Sequence, residues 1–323
     1  MSQSVAVLNQ VLPIVLLLGL GFVVRSIGLL SERAIDDLKT IVITLALPSV
    51  LFTTFSQVEF ETAFIWLFVA FFLFCVLLLA GGLVLQKLFG LRPYFPFLMT
   101  GFEFGMIGVS LFGSAYGLDA VGYLAIADLG HEFFIWFAFA PLLLMKRDGA
   151  GSMGKVLKMF VTTPVIIGMC AGIALNLLGV GKELPDLPVM GAVWSAMKFL
   201  AGLTIPLILI IVGYGIKIER KGLGDVLLVV GLRTVVLVPL GWFLAQWFVG
   251  GILGLAAPYQ AAFFTMLILP SPFIVPLFLP KELPDGRSIE DERRFVNNTL
   301  TLHTLTSIAV FFVYVAFNPT LGA

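Results

Sequence analysis

Charge is scarce in this sequence. Asp, Glu, Lys and Arg make up 12% of the 323 residues, about half the share usual in a soluble domain. Nineteen basic residues balance nineteen acidic ones. They form no Lys/Arg-rich run that could build a phosphate-binding patch, so nucleic acid is not an expected partner. Cysteine occurs twice, at Cys75 and Cys170, each inside an apolar stretch. Neither a disulfide framework nor a thiolate metal site is implied, and both are expected as small core residues. Enzyme signatures are missing as well. His131-Glu132 opens like the zinc motif H-E-x-x-H, but position 135 is Ile. There is no P-loop lysine motif and no G-x-S-x-G nucleophile elbow. The expectation is a protein without catalytic residues, resident metal or cofactor. No basic residue precedes Arg25, and the first apolar run is too long for the core of a cleaved signal, so it reads as a first spanning helix.

What the chain has in abundance is apolar surface: 60% of residues are hydrophobic and the mean hydropathy is +1.09. A spanning helix needs roughly 20 predominantly apolar residues. That criterion predicts ten, at 6–27, 38–56, 62–86, 95–117, 120–145, 156–179, 189–216, 224–250, 259–280 and 293–317. The fold class is therefore all-α integral membrane. The polar, Gly-rich segment Lys146–Lys155 is the most linker-like.

Sixteen of the nineteen basic residues fall in the loops after odd-numbered spans, from Arg25 and Arg33 to Arg293 and Arg294. Lys182 and Lys198 lie toward the opposite side, and Arg233 lies within span 8. Basic loops stay in the cytoplasm. The expected location is the cell membrane, with both termini outside.

Spans 1 and 6 share Pro13, Gly21 and Gly28 with Pro164, Gly172 and Gly179 at one constant offset. Spans 2 and 7 carry Pro48 and Pro206. Pro93-Tyr94 and Pro258-Tyr259 precede spans 4 and 9, and on that register Thr100 aligns with Thr265 and Gly105 with Pro270. Asp119 and His131 align with Asp291 and His303. Two five-helix repeats, 1–148 and 149–323, follow from this order. An odd number of helices per repeat places the second upside down, as in many secondary transporters.

Span 4 contains Gly101, Gly105 and Gly108 around Met106, and span 9 contains Pro270, Ser271, Pro272 and Pro276. Proline removes a helix donor and clashes with the preceding turn. Both spans are expected to break, and freed backbone groups must then face protein or a water-filled cavity. Packing glycines and ordinary membrane prolines are the plainer alternative. Ionisable residues at membrane depth default to functional candidates: Glu103, Asp128, His131, Glu132, Arg233 and His303. For Glu103 the competing reading is a carboxyl that ties the broken backbone; for Asp128 it is a structural hydrogen bond between helices; for His303 it is a satisfied core residue. Arg233 is expected either to attract an anion or to pair with Glu103, Asp128 or Glu132.

The stretch VLPIVLLLGLGFVVRSIGLLSERAIDDLKTIVITLALPSVLFTTFS resembles the auxin efflux carrier family. Arg25, Gly28, Leu29, Leu30, Ser31, Leu47 and Pro48 carry the likeness, and FEFGMIGVSLFGSAYG and AIADLGHEFF look like the fourth and fifth helices of bacterial members. The resemblance implies carriage of a small organic anion, helices 4 and 9 crossing at their breaks with the solute beneath, and a homodimer as a plausible assembly. Carried over, the crossing would set Gly105–Gly108 against Pro270–Pro272. Apart from the resemblance, Glu103 and Asp128 are expected as the coupling acids or as ligands of a cation, with H+ and Na+ both open. A sodium-coupled carrier of the bile-acid type and a non-transporting receptor of the same fold are the alternatives. The first lacks its acidic motif here, since positions 266–276 hold no carboxylate.

Overall fold

The computed structural model describes residues 3–148, 153–220, 222–280, 282–283 and 288–321. Among them there is no strand. In chain order the helices are α1 (Gln3–Ser26), α2 (Glu32–Gln57), α3 (Ala63–Phe89), α4a (Phe95–Leu98), α4b (Phe104–Tyr116) and α5 (Leu118–Asp148). They continue with α6a (Met153–Thr162), α6b (Pro164–Leu177), α7 (Met190–Gly215), α8 (Leu223–Ile252), α9a (Ala257–Ile268), α9b (Val275–Phe278) and α10 (Ile289–Phe317). Seven of these, α1, α2, α3, α5, α7, α8 and α10, are long and apolar enough to cross a membrane. The other three expected spans are each divided. The sixth parts at Thr163, ahead of Pro164, where the residue before a proline is pushed out of the helical region. The linker-like segment falls partly outside the described residues, as do Lys221, Lys281 and Arg287.

Local chemistry explains the ends. Ser31 caps α2 by accepting a hydrogen bond from Ala34 N at 3.1 Å. Inside α2 the turn Val42–Ala46 widens to a π-helical turn just before Pro48, which absorbs the donor that proline lacks. Helix α3 is apolar on every side, with Ile65, Trp66, Leu73 and Leu77 exposed, as a lipid-facing helix must be. It stops at Gly90, whose φ of +61° is left-handed.

The helices sort into two bundles. In one, α1 packs on α7 and α2 packs on α6b and α7; in the other, α3 packs on α5 and α4a, α5 on α9a, and α8 on α9a and α10. The first bundle is held by close backbone approach. A Cβ on Gly21 would lie 2.1 Å from Ile210 O, and one on Gly213 would lie 2.0 Å from Leu18 O. Gly168 and Gly172 meet Pro48 O and Phe52 O of α2 in the same way, at 2.6 and 2.7 Å. Between membrane helices, packing of this kind stands in for the hydrophobic effect. It also corrects the expectation for Cys170, which is exposed while Cys75 is buried. Gly168 and Gly172 turn one face of α6b to α2, and position 170 points the other way.

Candidate functional site

Helix α4 is interrupted between Leu98 and Phe104. The break lies earlier than Gly105–Gly108, because Gly101, not Gly105, takes the left-handed conformation, at φ +72°. Gly105 and Gly108 instead belong to a π-helical turn that opens α4b. Helix α9 is interrupted at Leu269–Ile274, with Leu269 extended at ψ 152°. The two breaks cross at Gly101 and Pro272, so closely that a Cβ on Gly101 would lie 2.7 Å from Pro272 Cγ. The long arms, of 12 residues in α9a and Phe104–Tyr116 in α4b, lie on one side of the crossing. The short arms, four residues each, lie on the other, among basic residues: Lys146 sits 5.4 Å from the Tyr94 ring and Arg147 5.3 Å from the Phe278 ring. The breaks therefore do not share one register position. Proline decides where α9 ends, whereas a single glycine decides it in α4.

Main chain joins main chain at the crossing, where Glu103 N donates to Pro270 O at 2.8 Å. Two charged side chains complete it. The guanidinium of Arg233, fully buried on α8, donates to Leu98 O at 3.0 Å, Ser271 Oγ at 3.2 Å, Leu269 O at 3.2 Å and Gly101 O. It also covers the Phe102 ring at 4.8 Å. Ser271 Oγ donates in turn to Leu98 O at 2.5 Å. Leu98 and Leu269 sit at the C-terminal ends of α4a and α9a, where free carbonyls carry partial negative charge and suit a cation. Arg233 therefore pairs with backbone, not with the carboxylates expected from sequence. Glu103 does the converse. Its Oε1 accepts from Met106 N at 3.2 Å and its Oε2 from Phe273 N at 2.6 Å, so one carboxylate ties the start of α4b to the far side of the α9 break.

A second cluster braces the crossing from α5. His131 Nε2 accepts from Phe102 N at 2.9 Å, and His131 Nδ1 lies 2.7 Å from Asp128 Oδ1. A backbone N–H can only donate, so Nε2 is the bare nitrogen and Nδ1–H faces Asp128. Glu132 Oε1 accepts from Trp136 Nε1 at 2.8 Å. Ligating atoms of Asp128, His131 and Glu132 lie within 4.8 Å of one another. Both ring nitrogens of His131 are already engaged, so the group suits a proton or a small hard cation on the carboxylates better than a histidine-bound transition metal. Thr100 Oγ1 and Thr265 Oγ1 are buried without a partner among the described residues. Gly108 faces Leu269, and Gly105 faces Leu47 of α2 at 3.5 Å. The residues singled out in sequence thus gather around one crossing, with His303 on the far side of Arg233.

A cavity of about 920 Å³ opens at the end opposite the basic loops, between α2 and α7 of one bundle and α5 and α9a of the other. Thr53, Gln57, Tyr123, Trp194, Lys198 and Tyr259 line it. Sequence reading gave none of these residues a place in a site, although the Thr-Thr and Gln on the last turns of α2 were a polar signal on an otherwise apolar helix. The cavity reaches down to Val50 and Ile126. Val50 is one helical turn from Leu47, the residue that touches Gly105. At the rim, Lys182 Nζ lies 2.6 Å from Glu59 and holds that carboxyl below its ordinary value.

No protein-family profile matches the chain. A protein of Methanothermobacter thermautotrophicus named an uncharacterized transporter is 26% identical over 240 residues, 71% of this chain and 74% of the relative. With its apolar helices, this chain is a multi-pass membrane protein similar to a transporter.

Proposed function

We propose that the chain is a secondary carrier of a small organic anion, of the auxin efflux carrier type, working by alternating access in the cell membrane. The observation that carries the reading is the cavity between the two bundles, which ends one helical turn from Leu47, the side chain that meets Gly105 just beyond the crossing of two interrupted helices. A volume of about 920 Å³ is in the range of small-molecule sites. Rocking of the α3, α4, α5, α8, α9 and α10 bundle against the α1, α2, α6 and α7 bundle would close this mouth and open the basic side.

Inverted repeats 1–148 and 149–323 belong to this proposal, with ten crossings and outward termini. Two pairs of features support them. Arg25 Nη1 donates to Ile216 O, beyond the last turn of α7, at 2.8 Å, and Asn176 Nδ2 donates to Val58 O, beyond the last turn of α2, at 2.6 Å. Arg25 and Asn176 are separated by the same offset as Gly21 and Gly172. At that offset also stand Gly28 (φ +66°) and Gly179 (φ +77°). Each closes its helix alike, through Gly28 N to Arg25 O with Leu29 N to Val24 O, and Gly179 N to Asn176 O with Val180 N to Leu175 O.

Since Glu103 already fills the backbone donors at the crossing, an incoming carboxylate competes with it there or binds in the cavity above. Glu103, Asp128 and Glu132 are the candidate proton or cation carriers, and the solute itself is the proposed partner. The test is uptake of labelled mono- and dicarboxylates into proteoliposomes, with a pH or a sodium gradient. Gradient-driven accumulation is expected. Binding without movement under either gradient would overturn the carrier reading and leave a receptor.

A further inference from the structure

Arg233 has more hydrogen-bonding capacity than the crossing uses. Its Nε is buried and has no partner among the described residues, and the same holds for His303 Nδ1 and Ser307 Oγ. All three residues border one void between α8, α9a and α10, otherwise walled by side chains such as Leu237, Leu267 and Val310. Two threonines also reach it, but their hydroxyls are spent: Thr234 donates to Val230 O at 2.7 Å and Thr306 to Leu302 O at 2.9 Å. Thr299 and Thr304 on α10 likewise bond to the carbonyl four residues back. Ser307 departs from that habit and keeps its hydroxyl free.

Three unspent polar groups around one void in a membrane interior form a built site, since each would otherwise cost free energy. Its sign follows from Arg233. All four acceptors of the guanidinium are neutral, so a full positive charge lies at 0% exposure without a charged counterpart in contact among the described residues, an arrangement membrane interiors rarely tolerate. Arg Nε–H can only donate, and serine and a histidine Nδ1–H can donate as well. In the void the centre of a water-sized sphere has about 10 Å³ to move in, which leaves room for one monatomic ion somewhat larger than a water. That size excludes carboxylate, phosphate and sulfate. We propose that Arg233, His303 and Ser307 bind a single halide ion, chloride in the cell, which neutralises Arg233 behind the crossing.

The experiment is thermal unfolding of the purified full chain in detergent, in sodium chloride, bromide or gluconate at equal ionic strength and pH. Wild type should be stabilised saturably by chloride and bromide over gluconate. Ser307→Ala should unfold like wild type in gluconate, because its hydroxyl has no protein partner to lose, and should need about tenfold more halide for the same stabilisation. Equal unfolding temperatures of wild type in chloride and gluconate would overturn the site, as would a Ser307→Ala protein with an unaltered halide response. If that variant fails to fold, crystals of wild type grown in bromide decide. An anomalous peak between Arg233 and Ser307 supports the proposal, and a water-sized peak without anomalous signal refutes it. Neither measurement requires transport, so failure here is distinct from failure of the carrier reading.

Discussion

Both bundles use glycine contacts, since a Cβ on Gly130 of α5 would lie 2.2 Å from Phe68 O of α3; they differ in what else joins their helices. In the α1, α2, α6 and α7 bundle the crossings are made at glycines, where one backbone rests on the next: Gly21 and Gly213 between α1 and α7, and Gly168 and Gly172 between α6b and α2. No ionisable group is needed in those contacts. In the other bundle the backbone of α4 and α9 is opened, and its freed carbonyls and amides are met by Arg233, Glu103, His131 and Ser271. Helices in lipid can be joined by contact alone; the buried breaks of α4 and α9 need polar side chains brought to them. This is why the charges at membrane depth gather in one bundle, the one that moves the solute in the proposed cycle.

Substitutions on each side test the contrast. The largest effect is expected at Arg233. Arg233→Ala strands the carbonyls of Gly101 and Leu269 at full burial and leaves Leu98 O to Ser271 alone, a loss upwards of about 3 kcal/mol. No monodisperse protein should be recovered, and Arg233→Lys should recover only part, since an ammonium lacks the planar fork. Recovery of Arg233→Ala with a wild-type unfolding temperature would mean the crossing holds without its cation. Next comes Gly21→Ala, where the added methyl meets the carbonyl of Ile210 at 2.1 Å. Backbone cannot step aside, so a loss near about 3 kcal/mol is expected. Gly19→Ala on the same helix has nothing within 4 Å and should be neutral or slightly stabilising. Equal unfolding temperatures for the two variants would show that contact at Gly21 does not hold α1 to α7.

Glu103→Gln has a smaller effect on stability and a larger one on transport. Glutamine offers one acceptor oxygen where the carboxylate offers two, and its NH2 group would face the N–H of Met106 or Phe273. A loss of about 1–2 kcal/mol follows, together with a change in the proton dependence of uptake if Glu103 moves during the cycle. Unchanged proton dependence in proteoliposomes would confine Glu103 to tying the two breaks together.

Much of this arrangement was legible because lipid allows few solutions. Apolar runs of sufficient length, prolines at Pro270 and Pro272, and carboxylates where none is tolerated idly pointed to the interruptions and their partners. The exact break in α4 was not legible. Gly101, Gly105 and Gly108 have the same freedom on paper, and only the approach of Pro272 selects Gly101. The partners of Arg233 were hidden for a related reason: sequence displays side chains, and the terminal nitrogens of Arg233 are met mainly by carbonyls, which every residue carries. The cavity escaped notice because it is built by ordinary residues, Thr53, Gln57, Tyr123 and Trp194, contributed by three helices. Cys170 shows the reverse error, since an apolar neighbourhood in sequence is no sign of burial when the surroundings are lipid.

The smallest effect belongs to the cavity rim, outside both bundles' contacts. Lys182 and Glu59 are paired at 2.6 Å but exposed, with 57% and 83% of their side-chain surface accessible. Water and salt screen such a pair. Because Lys182 lowers the Glu59 carboxyl below its ordinary value of 4.5, the folded chain binds that proton less readily than the unfolded one. Whatever the pair contributes is therefore complete above pH 4.5 and fades as pH falls through the lower folded value. Lys182→Ala should leave the unfolding temperature at neutral pH indistinguishable from wild type, in contrast to Arg233→Ala, although each removes one cation. A clear loss that vanishes in high salt would show that this loop, which joins α6b to α7 and touches the end of α2, is held electrostatically and not by the glycine contacts below it.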